Sequence, residues 1–298
     1  MTRSRSNSYL DKLKFWCSRL EVTQTYGRNL TLLAATGKLP RCYYRDAEIE
    51  EIQINRNRFT KLNILLTGPS GCGKTAIVEG LAQAIEEDLY KRWSETGVLD
   101  ISADLPVVFE LNPASLVGGS MYRGEFEERM KKLLDEVTER SRKVILFIDE
   151  AHTLSRIGVS KDGGLGAGDI LKPALARGDL VMIAATTDHE YTQYMAKDTA
   201  FVRRFSRVAV QPISSDHRVD CAIRIIEEYS LQHKMPCEIE NKRLESFLTK
   251  ILESEFQDSA FPYEFADAVD LMFARARYAK KPVVGMSELR TAIRDKTS

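Results

Sequence analysis

Eight residues restrict what this chain can fold into more than any others. Gly68-Pro69-Ser70-Gly71-Cys72-Gly73-Lys74-Thr75 have the spacing GxxxxGK[ST]. They stand between an apolar run, Asn63-Ile64-Leu65-Leu66-Thr67, and a helical pattern, Ala76-Ile77-Val78-Glu79-Gly80-Leu81-Ala82. A strand that turns through glycines directly into a helix aims successive backbone N–H groups at one point, and the helix N-terminus adds the positive end of its dipole. Bulky side chains would block that approach, and glycines tolerate the φ angles it requires. The arrangement suits phosphate. Lys74 then reaches the β- and γ-phosphates of a nucleotide, and the Thr75 hydroxyl is a ligand for Mg²⁺.

A second strand-like run, Val144-Ile145-Leu146-Phe147-Ile148, ends in two acids, Asp149 and Glu150. An acid at such a strand end holds Mg²⁺ in phosphate-loop ATPases, which fits Asp149. Glu150 beside it remains free of metal and can polarise an attacking water as a general base. The expected ligands are therefore ATP and Mg²⁺, with Thr75 and Asp149 on the ion.

Three further apolar runs, Val107–Leu111, Leu180–Ala185 and Arg207–Val210, alternate with helical stretches between residues 60 and 210. Short unalternating runs are strands buried on both faces, and strand–helix alternation makes a parallel sheet covered by helices. Phe126, Met130, Leu133, Leu134 and Val137 form the clearest helical stripe. After Pro212 the pattern becomes helical throughout, over about 216–234, 241–254, 262–279 and 287–295. The expected organisation is an amphipathic lead-in helix over 1–25, an α/β phosphate-loop ATPase domain over 26–212 and a small helical lid domain over 213–298.

Composition limits the remaining possibilities. Lys+Arg and Asp+Glu both number 43, which makes a nucleic-acid partner unlikely for want of a basic excess. The five cysteines are scattered and lack metal-ligand spacing, as expected of reduced thiols in a cytoplasmic protein. No apolar run approaches the roughly 20 residues that cross a bilayer, so no membrane association is expected.

Longer strings carry a family resemblance. Tyr26-Gly27-Arg28-Asn29-Leu30-Thr31, Met121-Tyr122-Arg123-Gly124-Glu125-Phe126-Glu127-Glu128-Arg129 and Leu171-Lys172-Pro173-Ala174-Leu175-Ala176-Arg177-Gly178 resemble the first ATPase module of the ClpA/ClpB class of AAA+ unfoldases. The resemblance runs from about Tyr26 to the C-terminus. It implies an aromatic pore-loop grip on polypeptide at Tyr122 and a second pore loop at Gly163 to Gly168. It also implies a water-positioning polar residue at Thr187, in Ala184-Ala185-Thr186-Thr187, and arginine fingers at Arg203 and Arg204 that reach the neighbouring subunit's nucleotide.

The implied partners are further copies of the chain, in a homo-oligomeric ring taken as a hexamer, and a polypeptide client. Two segments depart from the family pattern. Cys42-Tyr43-Tyr44 replaces a small Val-Ile-Gly turn near the base, and Glu264 replaces a basic residue in Pro262-Tyr263-Glu264-Phe265-Ala266-Asp267. The expectation is a free-standing, single-ring ATPase that threads or remodels polypeptides. The alternative is an ATP-controlled switch or assembly module docking on a larger partner complex.

Overall fold

A computed structural model of the chain describes residues 5–58, 60–117, 123–140, 142–155, 167–256 and 261–297. Tyr122 and Gly163–Gly166 lie outside the described residues. Backbone packing separates two compact units, one of Met1–Thr67 with Lys74–Ala209 and the other of Gly68–Gly73 with Val210–Ser298.

The first unit begins with two helices where the sequence suggests one. They are α1 (Asn7–Cys17) and α2 (Glu21–Tyr26), and the backbone breaks at Leu20, whose φ and ψ of −104° and 64° are not helical. The Ser6 hydroxyl caps α1 by accepting from the Tyr9 amide. Tyr9 is fully buried, edge-on to Tyr90 at 5.0 Å, and the Arg5 guanidinium pairs with the buried Glu86 carboxylate at 2.5 Å.

The chain continues through β1 (Gly27–Asn29), α3 (Leu30–Ala35), α4 (Asp46–Arg56), β2 (Asn63–Thr67), the long α5 (Lys74–Thr96), β3 (Val107–Leu111) and α6 (Pro113–Val117). It then forms α7 (Arg123–Thr138), β4 (Val144–Ile148), a 3-10 turn at Ala151–Ser155, α8 (Ala167–Arg177) and β5 (Val181–Thr186). The unit closes with α9 (Asp188–Glu190), a π-helical turn at Tyr191–Met195, α10 (Thr199–Val202) and β6 (Phe205–Ala209).

The six strands form one sheet in the order β1-β3-β4-β5-β2-β6. The five expected strands are parallel to one another, whereas β1 joins the edge antiparallel, Gly27 facing Leu111 and Asn29 facing Phe109. Every residue of β2, β4 and β5 is buried. Burying each large apolar side chain contributes roughly 1.5–3 kcal/mol, so these strands are rigid mounts for whatever stands at their ends. Starting from β2, the chain crosses to β3, fills back through β4 and β5 to β2's side, then adds β6 on β2's other flank. Open parallel sheets bind ligands beyond the carboxyl ends of the strands at such a reversal.

In the second unit the described residues from Val210 onward form four helices, α11 (Ser215–His233), α12 (Asn241–Ser254), α13 (Tyr263–Tyr278) and α14 (Met286–Thr297). Their cores include Ile226, Leu248, Phe265, Val269, Phe273 and Leu289, recurring at helical spacing. No helix among the described residues is long and apolar enough to cross a membrane.

Candidate functional site

Lys74, Thr75, Asp149, Glu150 and Thr187 of the first unit stand just beyond the carboxyl ends of β4 and β5 or at the start of α5. Lys74 and Thr75 open α5, and Lys74 is buried although charged. The Thr75 hydroxyl donates to Asp149 Oδ2 at 2.6 Å, which brings together the two residues that the sequence pattern assigns to one metal ion. In the loop before them Gly71 and Gly73 have φ of +70° and +97°, conformations that glycine adopts without the strain a side chain would add.

These observations fit a nucleotide–Mg²⁺ ligand. Lys74 supplies positive charge, and Thr75 with Asp149 supplies two hard oxygen donors suited to Mg²⁺.

Glu150 follows Asp149 with φ of +51°, a left-handed conformation that costs a non-glycine residue about 1–3 kcal/mol. Its amide donates to Asp149 Oδ1 at 2.8 Å, so the strained turn orients both acids at once. The Glu150 pKa is raised, first by partial burial and then by the carboxylates of Glu190 and Asp149, with His152 and Lys74 opposing. A carboxyl shifted in that direction is a stronger base.

His152 stands two residues further on, in the 3-10 turn. Its Nδ1 is 3.4 Å from Glu150 Oε2, 3.2 Å from Glu190 Oε2 and 3.3 Å from Thr186 Oγ1. The ligand-capable atoms of Glu150, His152 and Glu190 lie within 4.8 Å of one another. Thr187 caps α9 in a reciprocal box. Its hydroxyl accepts from the Glu190 amide at 3.2 Å, and Glu190 Oε2 accepts from the Thr187 amide and hydroxyl at 3.1 and 2.8 Å. Burial acts to raise the Glu190 pKa, but these bonds, the imidazole and Thr186 outweigh it and hold the carboxyl below its ordinary value.

Residues 64–212 match the ATPase family associated with various cellular activities (AAA). The chain belongs to the AAA family. Its relatives are of the Clp class. The chain is 42% identical over 218 residues to the chloroplastic chaperone protein ClpC2 of Oryza sativa subsp. japonica, covering 73% of this chain and 22% of that one. It is 40% identical over 258 residues to the chaperone protein ClpB of Staphylococcus aureus strain COL, covering 86% and 28%. A closed-state structure of Hsp104 with ATPγS and FITC casein superimposes with a TM-score of 0.76 at 33% identity, over 93% of this chain and 45% of that one. The chain thus spans about a quarter of the length of these curated relatives. It is an ATPase module of the AAA type.

Within this AAA module, Arg203 and Arg204 follow α10 and are both exposed. Among the described residues neither guanidinium has a hydrogen-bond or ion-pair partner, although exposed arginines nearby, such as Arg177 and Arg207, do. Thr187 faces Glu190 through its hydroxyl, and Tyr122 falls outside the described residues. Sequence reasoning passed over His152 and Glu190. The Thr187-x-x-Glu190 spacing is a capping-box signature and could have revealed Glu190. His152 belongs to no local pattern and becomes visible only when β4 and β5 are paired.

Proposed function

We propose that this chain hydrolyses ATP as one subunit of a ring and that the ring draws polypeptide through its centre. The observation that carries the ATPase reading is the Thr75 hydroxyl on Asp149 at 2.6 Å with Glu150 directly beside it. The loop from Gly68 to Gly73 and Lys74 bind the phosphates. Thr75 and Asp149 would hold Mg²⁺, which would supply positive charge at the phosphates. The Glu150 carboxylate takes a proton from the water that attacks the γ-phosphorus, while the bond to the β-phosphate oxygen breaks and ADP keeps that oxygen's electrons.

Ring formation is supported by Arg203 and Arg204, exposed and partnerless among the described residues. An arginine supplied in trans is worth ~10³ to 10⁵ in rate in other phosphate-loop enzymes, because it neutralises charge only as the transition state forms. The residue set leaves that role open to a neighbouring copy. Threading is supported by the resemblance at Tyr122 and by the Hsp104 neighbour, whose structure holds casein. An aromatic gives sequence-tolerant apolar contact to a passing chain.

The test is ATP turnover against protein concentration, with particle size followed in parallel. Turnover per chain should rise steeply with assembly. Arg203→Ala or Arg204→Ala should reduce it by at least ~10²-fold while leaving nucleotide affinity within a factor of about three. Concentration-independent turnover would defeat the shared-site reading and favour a switch that awaits a different partner. A Tyr122→Ala variant that hydrolyses ATP normally and still remodels an unfolded client would defeat threading through that loop.

A further inference from the structure

The cluster beside Glu150 holds more polar groups than the chemistry above uses. The Glu150 side chain is 62% exposed, and His152 supplies the one ion-pair partner its carboxylate has among the described residues. An exposed carboxylate on a flexible stem samples many directions, yet a base must face its water within a few tenths of an ångström. Something must therefore hold it.

His152 is built to do so. Its side chain is 12% exposed, and its ring lies on that of Tyr194 at 5.7 Å with 27° between planes, which fixes the plane of the imidazole. Nδ1 is the ring atom within 3.4 Å of both carboxylates, so in the tautomer that carries its hydrogen on Nδ1 the ring would share that N–H between them. Glu190 Oε2 already accepts from the Thr187 amide, the Thr187 hydroxyl and the Thr186 hydroxyl. It is an anchored acceptor that orients the ring without being displaced by it.

The turn carrying Glu190 is anchored in its turn. Arg207 donates to Asp188 Oδ1 and to Thr67 Oγ1, both at 2.8 Å, and its guanidinium covers the Tyr191 ring at 4.5 Å. The support for Glu190 is thus fastened to the last residue of β2.

We propose that His152 and Glu190 are positioning residues for hydrolysis: Glu190, locked in the Thr187 capping box, holds the His152 ring at Nδ1, and the Nδ1–H, shared between the two carboxylates, aims Glu150 at the attacking water. The inference rests on the reading of Glu150 as the base. It predicts that the strand end of β5 governs the rate through His152 without touching the nucleotide.

The experiment is steady-state turnover of the full chain at saturating ATP and Mg²⁺, with nucleotide affinity and the thermal midpoint measured on each variant. His152→Phe keeps the stack on Tyr194 and removes the donor. It should lower kcat roughly 100-fold with affinity and midpoint unchanged. His152→Asn returns an N–H close to the Nδ1 position and should recover most of that loss. Glu190→Gln keeps a capping oxygen, loses the anionic anchor and should lower kcat by about tenfold, a result that stands even if the phenylalanine variant does not fold.

Two failures are distinguishable. If Glu150→Gln is inactive while His152→Phe and Glu190→Gln keep kcat within about twofold of the parent, the positioning role is wrong and the base stands. If Glu150→Gln retains turnover, the base is wrong and the inference falls with it. Equal loss in His152→Phe and His152→Asn also overturns it, because a donor would then be irrelevant.

Discussion

Two glutamates, one in each unit, show opposite uses of the same side chain. Glu150 ends a buried strand on a strained backbone, and partial burial, Glu190 and Asp149 together raise its pKa. Glu288 is the third residue of α14. It accepts from Lys281 Nζ at 2.7 Å, the Ser287 hydroxyl at 2.8 Å and the Gly285 amide at 3.0 Å, and its pKa falls to about 2. Lys281 is the largest cause, followed by Ser287, with minor burial opposing them. The helical unit satisfies its carboxylate and gains stability from it. The sheet unit leaves its carboxylate less satisfied, which destabilises the fold slightly and suits the base proposed for it.

The contrast is broken or sharpened most strongly at Glu150. Glu150→Gln should lower ATP turnover by ~10³-fold, within the range that general bases contribute, with nucleotide binding retained. The same variant, free of nucleotide and Mg²⁺, should unfold at the parent's midpoint or slightly above it. The sign follows from the raised pKa: the folded state holds the Glu150 proton more tightly than the unfolded state, so ionised Glu150 detracts from stability as pH rises above the ordinary carboxylate range. Calorimetry at neutral pH measures this. A clear fall in midpoint would mean that Glu150 is a structural acid like Glu288.

Glu288→Gln should do the reverse on a smaller scale. It keeps the shape and removes the charge, so α14 amides should lose about 0.5–1 kcal/mol of hydrogen-exchange protection at neutral pH. The folded pKa is depressed, so the charge's contribution is complete above the ordinary value of 4.5 and disappears as pH falls through about 2. The difference between parent and variant should therefore be constant above pH ~5 and shrink steadily below it. A pH-independent difference would assign the effect to the lost oxygen geometry and not to charge.

The same contrast explains what the sequence revealed. Helices α11 to α14 were legible because their apolar spacing is local, and α12 has the expected bounds, Asn241–Ser254. Strands β3 and β4 were legible because each is a short apolar run buried on both faces. Strand β1 was not, because Gly27-Arg28-Asn29 has no strand composition and exists only through its pairing with β3. At the site, the residues within one continuous motif, from Gly68 to Thr75 and Asp149 with Glu150, could be found by spacing. His152, Thr186 and Glu190 meet only after two strands 33 or more residues apart are laid side by side, from Ile148 to Val181 and beyond.

The last effect concerns a second strained residue of the sheet unit. Tyr44 has φ of +57°, in the Cys42-Tyr43-Tyr44 turn. The turn is fixed on both sides: Arg45 is buried and pairs with Glu48 at 2.6 Å, and Cys42 lies so close to α5 that a Cβ on Gly80 would meet its own Cβ at 2.7 Å. A left-handed conformation costs a non-glycine residue about 1–2 kcal/mol, and glycine removes that cost while giving back about 0.4–1 kcal/mol through a freer unfolded chain. Tyr44→Gly should therefore raise the urea midpoint by an amount equivalent to about 0–1.6 kcal/mol, at unchanged slope. A fall would show that contacts of the half-buried ring outweigh the strain. Glu150→Gly is the informative partner, since it relieves a similar strain, φ +51° against +57°, but deletes the base. If both glycine variants stabilise and only the one at position 150 stops turnover, the strain at β4's end is tied to the chemistry, whereas that at Tyr44 is tolerated by the fold.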